Sequence, residues 1–171
     1  MKILLENEGF LLMNITLLCI GKLKEKYLKE ALADYAKRIS YYCKFEIVEI
    51  PDEKSPENAG EAIEKQIKDK EGQNLLKNLK EDTYLIALTP DGNMESSEKF
   101  SARIARLGVM GRSNIAFAIG GSLGLSEDVL KRADYKMSFS ELTFPHGLFR
   151  VMLLEQIYRA FKIERNETYH K

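Results

Sequence analysis

The alternation of short apolar segments with longer helical patterns constrains the fold of this chain more than any other feature. Five apolar segments of strand length occur in order, at residues 13–21, 45–50, 83–88, 115–119 and 135–138. Each is followed by a stretch with helical periodicity or helix-capping residues. Strands that alternate with helices in this way pair mostly in parallel, and the helices cover both faces of the sheet. The sequence therefore predicts an α/β fold.

Capping residues and chain breakers predict where the first helices begin and end. The first helix is expected over residues 24–42. Ser55-Pro56 predicts the start of the second, because serine is favoured at the N-cap and proline at the first helical position. This charged helix is expected to break or fray near Gly72. Thr-Pro-Asp-Gly at residues 89–92 predicts a turn that follows the third strand.

Later helices are marked by serines. Ser96 or Ser97 is expected to cap the helix before Gly108, and Ser126 to cap a short helix. The last helix, residues 148–163, is mostly apolar, so we expect it to be buried on more than one side, inside its own subunit or against a partner. A symmetric homodimer is the simplest expectation for a partner.

Residues 1–12 match no element of this pattern. We interpret them as an N-terminal extension, either disordered or upstream of the native start, and residues 13–171 as a single domain. The extension lacks the pattern of a secretory signal. No apolar run approaches the length of a membrane span, about 18 residues. A cytoplasmic protein is therefore expected.

The charge balance limits the classes of partner. The chain has 26 basic and 26 acidic residues, whereas a protein that coats nucleic acid needs a strongly basic surface. Two local groups of cations stand out: Lys22, Lys24 and Lys26 after the first strand, and a small excess over residues 144–171. Each group is either ordinary surface charge or a patch that contacts phosphate.

Two loops that follow predicted strands are candidates for a ligand site, because such loops share one edge of a parallel sheet. The first holds Gly120, Gly121 and Gly124. Its spacing fits neither a dinucleotide-binding fingerprint nor a Walker phosphate loop. These glycines either turn the strand into a helix or let a ligand lie against the backbone. The second loop, residues 139–150, contains His146 after a proline.

The two histidines and two cysteines do not form a recognisable metal or redox site. His146 is either structural or catalytic, and His170 lies in a terminal tail. We expect no metal site, since no cluster of ligating residues is present. Cys19 and Cys43 have no metal or redox spacing and are expected to pack in the core.

Several motifs, in order, resemble those of one family. They are Ile119-Gly120-Gly121, Gly124-Leu125, Ser138-Phe139-Ser140, Leu142-Thr143-Phe144-Pro145-His146, Arg150-Val151, Glu155-Gln156, Tyr158-Arg159-Ala160 and Tyr169-His170. Through them residues 13–171 resemble the RlmH family, large-subunit ribosomal RNA pseudouridine N3-methyltransferases of the SPOUT superfamily. The resemblance implies a SPOUT-type α/β fold with a C-terminal trefoil knot, a homodimer, and S-adenosylmethionine as methyl donor.

The resemblance also implies site residues. Those expected to line the cofactor are Leu88, Gly120, Phe139, Ser140, Glu141, Leu142, Thr143 and Phe144. The candidates for catalysis are Arg159, Tyr169, His170 and His146; the first three are favoured for holding RNA and stabilising negative charge. No single residue is assigned as general base.

The function so implied is methylation of N3 of a pseudouridine in 23S ribosomal RNA on the assembled ribosome. The alternatives are a non-catalytic ribosome-binding protein and a SPOUT enzyme that acts on another RNA. A nucleotide-dependent oxidoreductase would need a phosphate-binding turn after the first strand, and Gly21-Lys22-Leu23 does not supply one.

Overall fold

A computed structural model describes residues 13–169, and its elements alternate as predicted. In chain order they are β1 (Asn14–Ile20), α1 (Lys26–Ile39), β2 (Lys44–Ile50), α2 (Glu61–Lys77), β3 (Tyr84–Met94), α3 (Ser97–Val109), β4 (Asn114–Ile119), α4 (Glu127–Arg132), β5 (Tyr135–Ser138) and α5 (His146–Glu164). The strands form one parallel sheet in the order β2-β1-β4-β3-β5. The α/β fold is confirmed.

Both faces of the sheet are covered by helices, as predicted. Alternate residues of a strand point to opposite faces, and β1 shows this division clearly. Leu17 and Cys19 face the larger core with α1, α3 and α5, whereas Leu18 and Ile20 face the smaller core with α2 and α4. The last helix, α5, packs between α1 and α3 within its own subunit. The apolar composition of α5 is thereby explained without a partner.

Three expectations about local structure are wrong. The second helix does not start at Ser55-Pro56. Its N-cap is Gly60, because a turn closes first with a hydrogen bond from the Ala59 N–H to the Pro56 carbonyl. It does not break at Gly72 either. A Cβ there would lie 2.0 Å from Ser126 Oγ, so the glycine lets α2 pack closely against the start of α4.

The third error concerns β3, which does not end in a turn at residues 89–92. Met137 of β5 pairs with both Leu88 and Asn93, so residues 89–92 form an irregular bulge within a longer strand. A Cβ on Gly92 would lie 2.4 Å from the Met137 carbonyl carbon. Close approach of two backbones, rather than turn formation, therefore requires glycine here.

The serine caps are confirmed. Ser96 Oγ accepts a hydrogen bond from the Lys99 N–H, and Ser126 Oγ accepts one from the Val129 N–H. Cys19 and Cys43 are also confirmed as buried packing residues without a disulfide. Burial raises the pKa of the Cys19 thiol to about 11 and that of Cys43 to about 12.

Arg150 is a buried link between α5 and the end of β1, not a surface cation. Its side chain is 3% exposed and lies 3.3 Å from the Glu49 carboxylate. One guanidinium nitrogen donates to the carbonyls of Ile20 and Gly21, at 2.7 and 3.1 Å. The hypothesis that cations of residues 144–171 form an open phosphate-contacting patch is therefore wrong for Arg150.

The trefoil knot implied by the resemblance stays a prediction. The close backbone approaches at Gly92 and Gly120 are compatible with a chain that threads tightly through this region. Residues 1–12, interpreted as an extension, and His170 lie outside the described residues. Within residues 13–169, no helix combines the length and apolar character that a membrane crossing requires.

Candidate functional site

The ends of three neighbouring strands open onto one cavity. Strands β4, β3 and β5 lie side by side, and the segments that follow their buried parts enclose about 580 Å³. Small-molecule sites have volumes of about 300–1,000 Å³ and occur at this edge of α/β sheets. The cavity therefore has the size and position of a binding site for a small molecule.

The glycine turn after β4 forms one wall of this cavity. A Cβ on Gly120 would lie 2.5 Å from the carbonyl carbon of Gly124, too close for any side chain. Gly124 has φ +83°, a conformation that favours glycine. The glycines thus form the tight turn that leads out of the strand, the first of the two roles considered for them. They also line the cavity, and their contact with a ligand stays a prediction.

An aromatic cluster forms another wall. The rings of Phe139 and Phe149 meet edge to face with centroids 4.9 Å apart, and Phe144 stacks on Phe149 at 6.1 Å. The loop after β5 is fixed by its own hydrogen bonds. Ser138 Oγ donates to the Ser140 carbonyl, and Ser140 Oγ accepts from the Leu142 N–H. This wall is therefore apolar and held in place without a ligand.

Most residues predicted for the cofactor are brought together here. Those that line the cavity are Leu88, Gly120, Phe139, Ser140, Leu142, Thr143 and Phe144. Glu141 is exposed to solvent and does not belong to the lining. Their role in cofactor binding stays a prediction.

The residues of the β3 bulge were missed by sequence reasoning. Thr89, Pro90 and Asp91 line the cavity, although the sequence predicted only a turn. A proline and glycine within a strand could have signalled a bulge, and bulges often lie beside functional sites.

His146 is the first residue of α5 and also lines the cavity. Its partial burial and the nearby Arg150 charge lower the pKa of its imidazole. The neutral imidazole, which can accept a proton or a hydrogen bond, is therefore favoured at neutral pH.

Arg159 and Tyr169 meet at a different place, on the carboxylate of Glu155. The Arg159 Nε donates to Glu155 Oε1 at 3.0 Å, and the Tyr169 hydroxyl donates to the same oxygen at 3.1 Å. The Arg159 guanidinium also lies over the Tyr169 ring, 4.9 Å from its centroid. The hydrogen bond to Glu155 raises the pKa of Arg159, and burial is the main cause that raises the pKa of Tyr169.

A hydrogen-bonded chain anchors this carboxylate. Gln156 donates to Glu155 Oε2 at 2.8 Å and accepts from the Ser97 hydroxyl at 2.7 Å. We refer to Ser97, Glu155, Gln156, Arg159 and Tyr169 as the Glu155 cluster. Sequence reasoning gave Glu155 no role, although its spacing four residues before Arg159 is that of a helical ion pair.

The Glu155 cluster and His146 are separated within one subunit. His146 and Arg159 both lie on α5, and at about 1.5 Å per residue they are about 20 Å apart along its axis. A smaller cavity of about 330 Å³ adjoins the cluster and shares Met137, Ser138 and Phe139 with the larger one. Within residues 13–169, no three potential metal ligands cluster.

Comparison with known proteins identifies relatives along almost the whole chain. A family model described as "Predicted SPOUT methyltransferase" matches residues 13–170. The chain is 62% identical over 159 residues to ribosomal RNA large subunit methyltransferase H 1 of Clostridium perfringens, covering 93% of this chain and 100% of that relative. Ribosomal RNA large subunit methyltransferase H of Clostridium novyi is 60% identical with the same coverage.

A solved structure shows the same fold at low sequence identity. A probable methylase family protein from Haemophilus influenzae matches with a TM-score of 0.53 at 14% identity, covering 94% of this chain and 71% of that one. This likeness concerns the fold alone.

Proposed function

Because this chain belongs to the SPOUT methyltransferase family, we propose that it methylates the RNA of the large ribosomal subunit. The methyl donor is S-adenosylmethionine, and the acceptor is N3 of a pseudouridine in 23S ribosomal RNA on the assembled ribosome. The observation that carries the proposal is 62% identity to a ribosomal RNA methyltransferase that is matched along its whole length. Residues 13–171 form the catalytic domain, preceded by a short extension, and the enzyme works in the cytoplasm with its ribosomes.

The larger cavity fits S-adenosylmethionine in size and chemistry. The apolar wall of Phe139, Phe144 and Phe149 suits an adenine ring, and the loop backbones offer polar groups for its edge. The glycine turn forms another wall, where Gly120, Gly121 and Gly124 present backbone rather than side chains to the cavity. When bound, S-adenosylmethionine supplies a methyl group activated by the positive charge of its sulfur.

The chain's own residues must handle negative charge on the acceptor. Pseudouridine N3 is an imide nitrogen that loses its proton as it reacts, so negative charge develops on the ring. Arg159 is a permanent cation and is assigned to stabilise this charge. Burial raises the pKa of Tyr169, which therefore stays a neutral hydrogen-bond donor. His170 is assigned to hold RNA beside them, and His146 is a further candidate at the cavity.

A homodimer would bring the two halves of the site together. In one subunit Arg159 lies about 20 Å from His146 along α5, so we assign the Glu155 cluster of one subunit to the cavity of its partner. Leu142 and Leu148 beside the cavity are 73% and 42% exposed, which supports a covering partner. Most soluble oligomers are symmetric, so both sites would form at once.

Mixed dimers test this arrangement. Gly120→Ala and Arg159→Met subunits are co-expressed and assayed at S-adenosylmethionine concentrations too low to saturate Gly120→Ala, so that each is impaired in one half of the site. If the halves come from different subunits, one of the two sites in each mixed dimer is intact, so mixed dimers have about half of wild-type activity and a random mixture about a quarter. No recovery in mixed dimers of confirmed composition would contradict a shared site.

The function itself is tested by transfer of labelled methyl from S-adenosylmethionine to ribosomal particles that lack the modification. Assembled ribosomes and free subunits are compared, and the product nucleoside is identified by mass spectrometry. N3-methylpseudouridine in large-subunit RNA is expected. Label in transfer RNA instead would show that the enzyme acts on another RNA, and particle binding without transfer would favour a non-catalytic ribosome-binding protein.

A further inference from the structure

The segment between β1 and α1 presents cations and an aromatic ring to solvent. We call residues 21–27 the lysine segment. Its side chains Lys22, Lys24 and Lys26 are exposed, and Tyr27 is 69% exposed. One acidic residue, Glu25, lies among them, so the segment keeps a net positive charge.

Contacts on the inner side hold this segment in place. The Gly21 N–H donates to the Ile50 carbonyl at 2.7 Å, and the buried Arg150 donates to the Gly21 carbonyl at 3.1 Å. The Leu23 N–H donates to Glu49, and the Leu23 side chain is 7% exposed. The lysines therefore project from a fixed backbone, which reduces the entropy lost when they bind a partner.

The lysine segment contacts the start of α5, next to a residue that lines the larger cavity. A Cβ on Gly147 would lie 2.6 Å from Leu23 Cδ1 and 2.8 Å from Leu28 Cδ1, so α5 begins in contact with this segment. The residue before Gly147 is His146, which lines the cavity. The lysine segment and the cavity thus lie at the same end of α5.

The charges of the segment are not used to stabilise the fold. Lys22 and Lys24 form no ion pair within residues 13–169, and Lys26 makes only an exposed contact of 3.7 Å with Glu30. The first turn of α1 has no acidic residue. Lys26 at the helix N-terminus opposes the helix dipole while the N-cap Glu25 favours it, so the lysines add no net stability to α1.

From these observations we propose that the lysine segment binds ribosomal RNA beside the methylated nucleotide. Lys22 and Lys24 contact backbone phosphates, and Tyr27 stacks on an unpaired base of the same loop. Lysine with an exposed aromatic ring matches single-stranded RNA, whose bases are free to stack. This inference rests on the proposed function, since it assigns the surface that receives that RNA.

The double variant Lys22→Ala, Lys24→Ala tests the phosphate contacts. Its KM for ribosomal particles is expected to rise about tenfold or more, and the salt dependence of binding to weaken by about one unit of log–log slope per lysine. Turnover at saturating particles and affinity for S-adenosylmethionine should stay within about twofold of wild type.

A matched control removes the same charge elsewhere. Lys44 begins β2 and Lys77 ends α2, and both are exposed. They lie at the amino-terminal ends of the strands, whereas the lysine segment follows the carboxyl end of β1. Lys44→Ala, Lys77→Ala should leave the KM for particles unchanged. For stacking, Tyr27→Ala should weaken binding about tenfold while Tyr27→Phe keeps it.

The outcomes separate this inference from the proposed function. If the wild type is active and the lysine variant and the control variant have the same KM for particles, this inference is overturned and the proposed function is not. Crosslinks from Tyr27 to a ribosomal protein rather than to RNA would overturn the choice of RNA. A wild type that neither methylates nor sediments with ribosomal particles would overturn both. If the wild type sediments without methylating, loss of sedimentation in the lysine variant alone would still support the RNA surface.

Discussion

The larger cavity and the Glu155 cluster differ in the chemical groups that form them. The cavity is formed by strand ends, a glycine turn and aromatic rings, with few charged side chains in its wall. The Glu155 cluster consists of a carboxylate, a guanidinium and a phenol joined by direct hydrogen bonds. Added volume should therefore damage the cavity, whereas loss of charge should damage the cluster.

This contrast fits a division of labour in methyl transfer. A bound cofactor needs a shaped, pre-formed pocket, and backbone atoms supply a shape that does not depend on pH. The acceptor needs a cation where negative charge develops, and such a charge requires a partner that holds it in position. Substitutions in one region should therefore leave the function of the other region intact.

The largest effect is expected from Arg159→Met, which removes the charge and keeps much of the side-chain volume. Methyl transfer should fall about a hundredfold, the usual effect of removing one group that stabilises transition-state charge. Affinity for S-adenosylmethionine, measured by calorimetry, should stay within about twofold. Equal losses of transfer and cofactor affinity would show that the two regions are not functionally separate.

The next effect is expected from Gly120→Ala, which adds one methyl group to the cavity wall. The new Cβ would lie 2.5 Å from the Gly124 backbone, so the turn must shift. Cofactor affinity should fall about tenfold, and unfolding free energy by about 1–3 kcal/mol. Gly108→Ala is the control, because its Cβ would meet only Met13 Sδ, at 3.4 Å. Similar losses in both variants would contradict a specific role for the turn.

A smaller effect is expected from Tyr169→Phe. The variant loses the 3.1 Å hydrogen bond to Glu155 but keeps its ring below Arg159 and against Tyr158. Transfer should fall several-fold and stability by about 1 kcal/mol, as measured by urea unfolding. Tyr169→Ala, which also removes the ring, should lose more on both measures; if the two variants behave alike, the ring contributes nothing.

The smallest effect concerns His146 and pH. Its pKa in the folded protein lies below the ordinary value of 6.5, so on acidification the unfolded chain takes up this proton first. This contribution to stability is present above that value and is lost as pH falls below it. The unfolding free energy is measured with urea at about pH 7.5 and about pH 5.5. Its decrease between these pH values should be smaller for His146→Gln than for wild type. A larger loss in the variant would mean that the pKa is raised.

Local sequence signals predicted the elements well where local physics decides them. The buried strands, the Ser96 and Ser126 caps and the apolar last helix follow from propensity and periodicity. The errors at Gly72 and residues 89–92 have one cause. In both places a distant segment packs against the backbone, and a glycine that looks like a breaker is needed for that contact.

The candidate site was predictable only through motifs. Seven of the eight residues that the resemblance implied for the cofactor line the cavity, but the resemblance singled out neither the β3 bulge nor a role for Glu155. The bulge depends on pairing with β5, and the role of Glu155 on the fold that brings Tyr169 back to α5. Neither contact is visible in local patterns.

The sequence by itself determined the alternation of strands and helices, the helix caps and the family. The tertiary structure alone decided the strand order β2-β1-β4-β3-β5, and with it which loops share the cavity. It also decided that Arg150 is buried against β1 while Lys22 and Lys24 form no ion pair with any residue of 13–169. The physical reason is that propensity and periodicity act over a few residues, whereas sheet order and the pairing of charges depend on contacts between residues far apart in the chain.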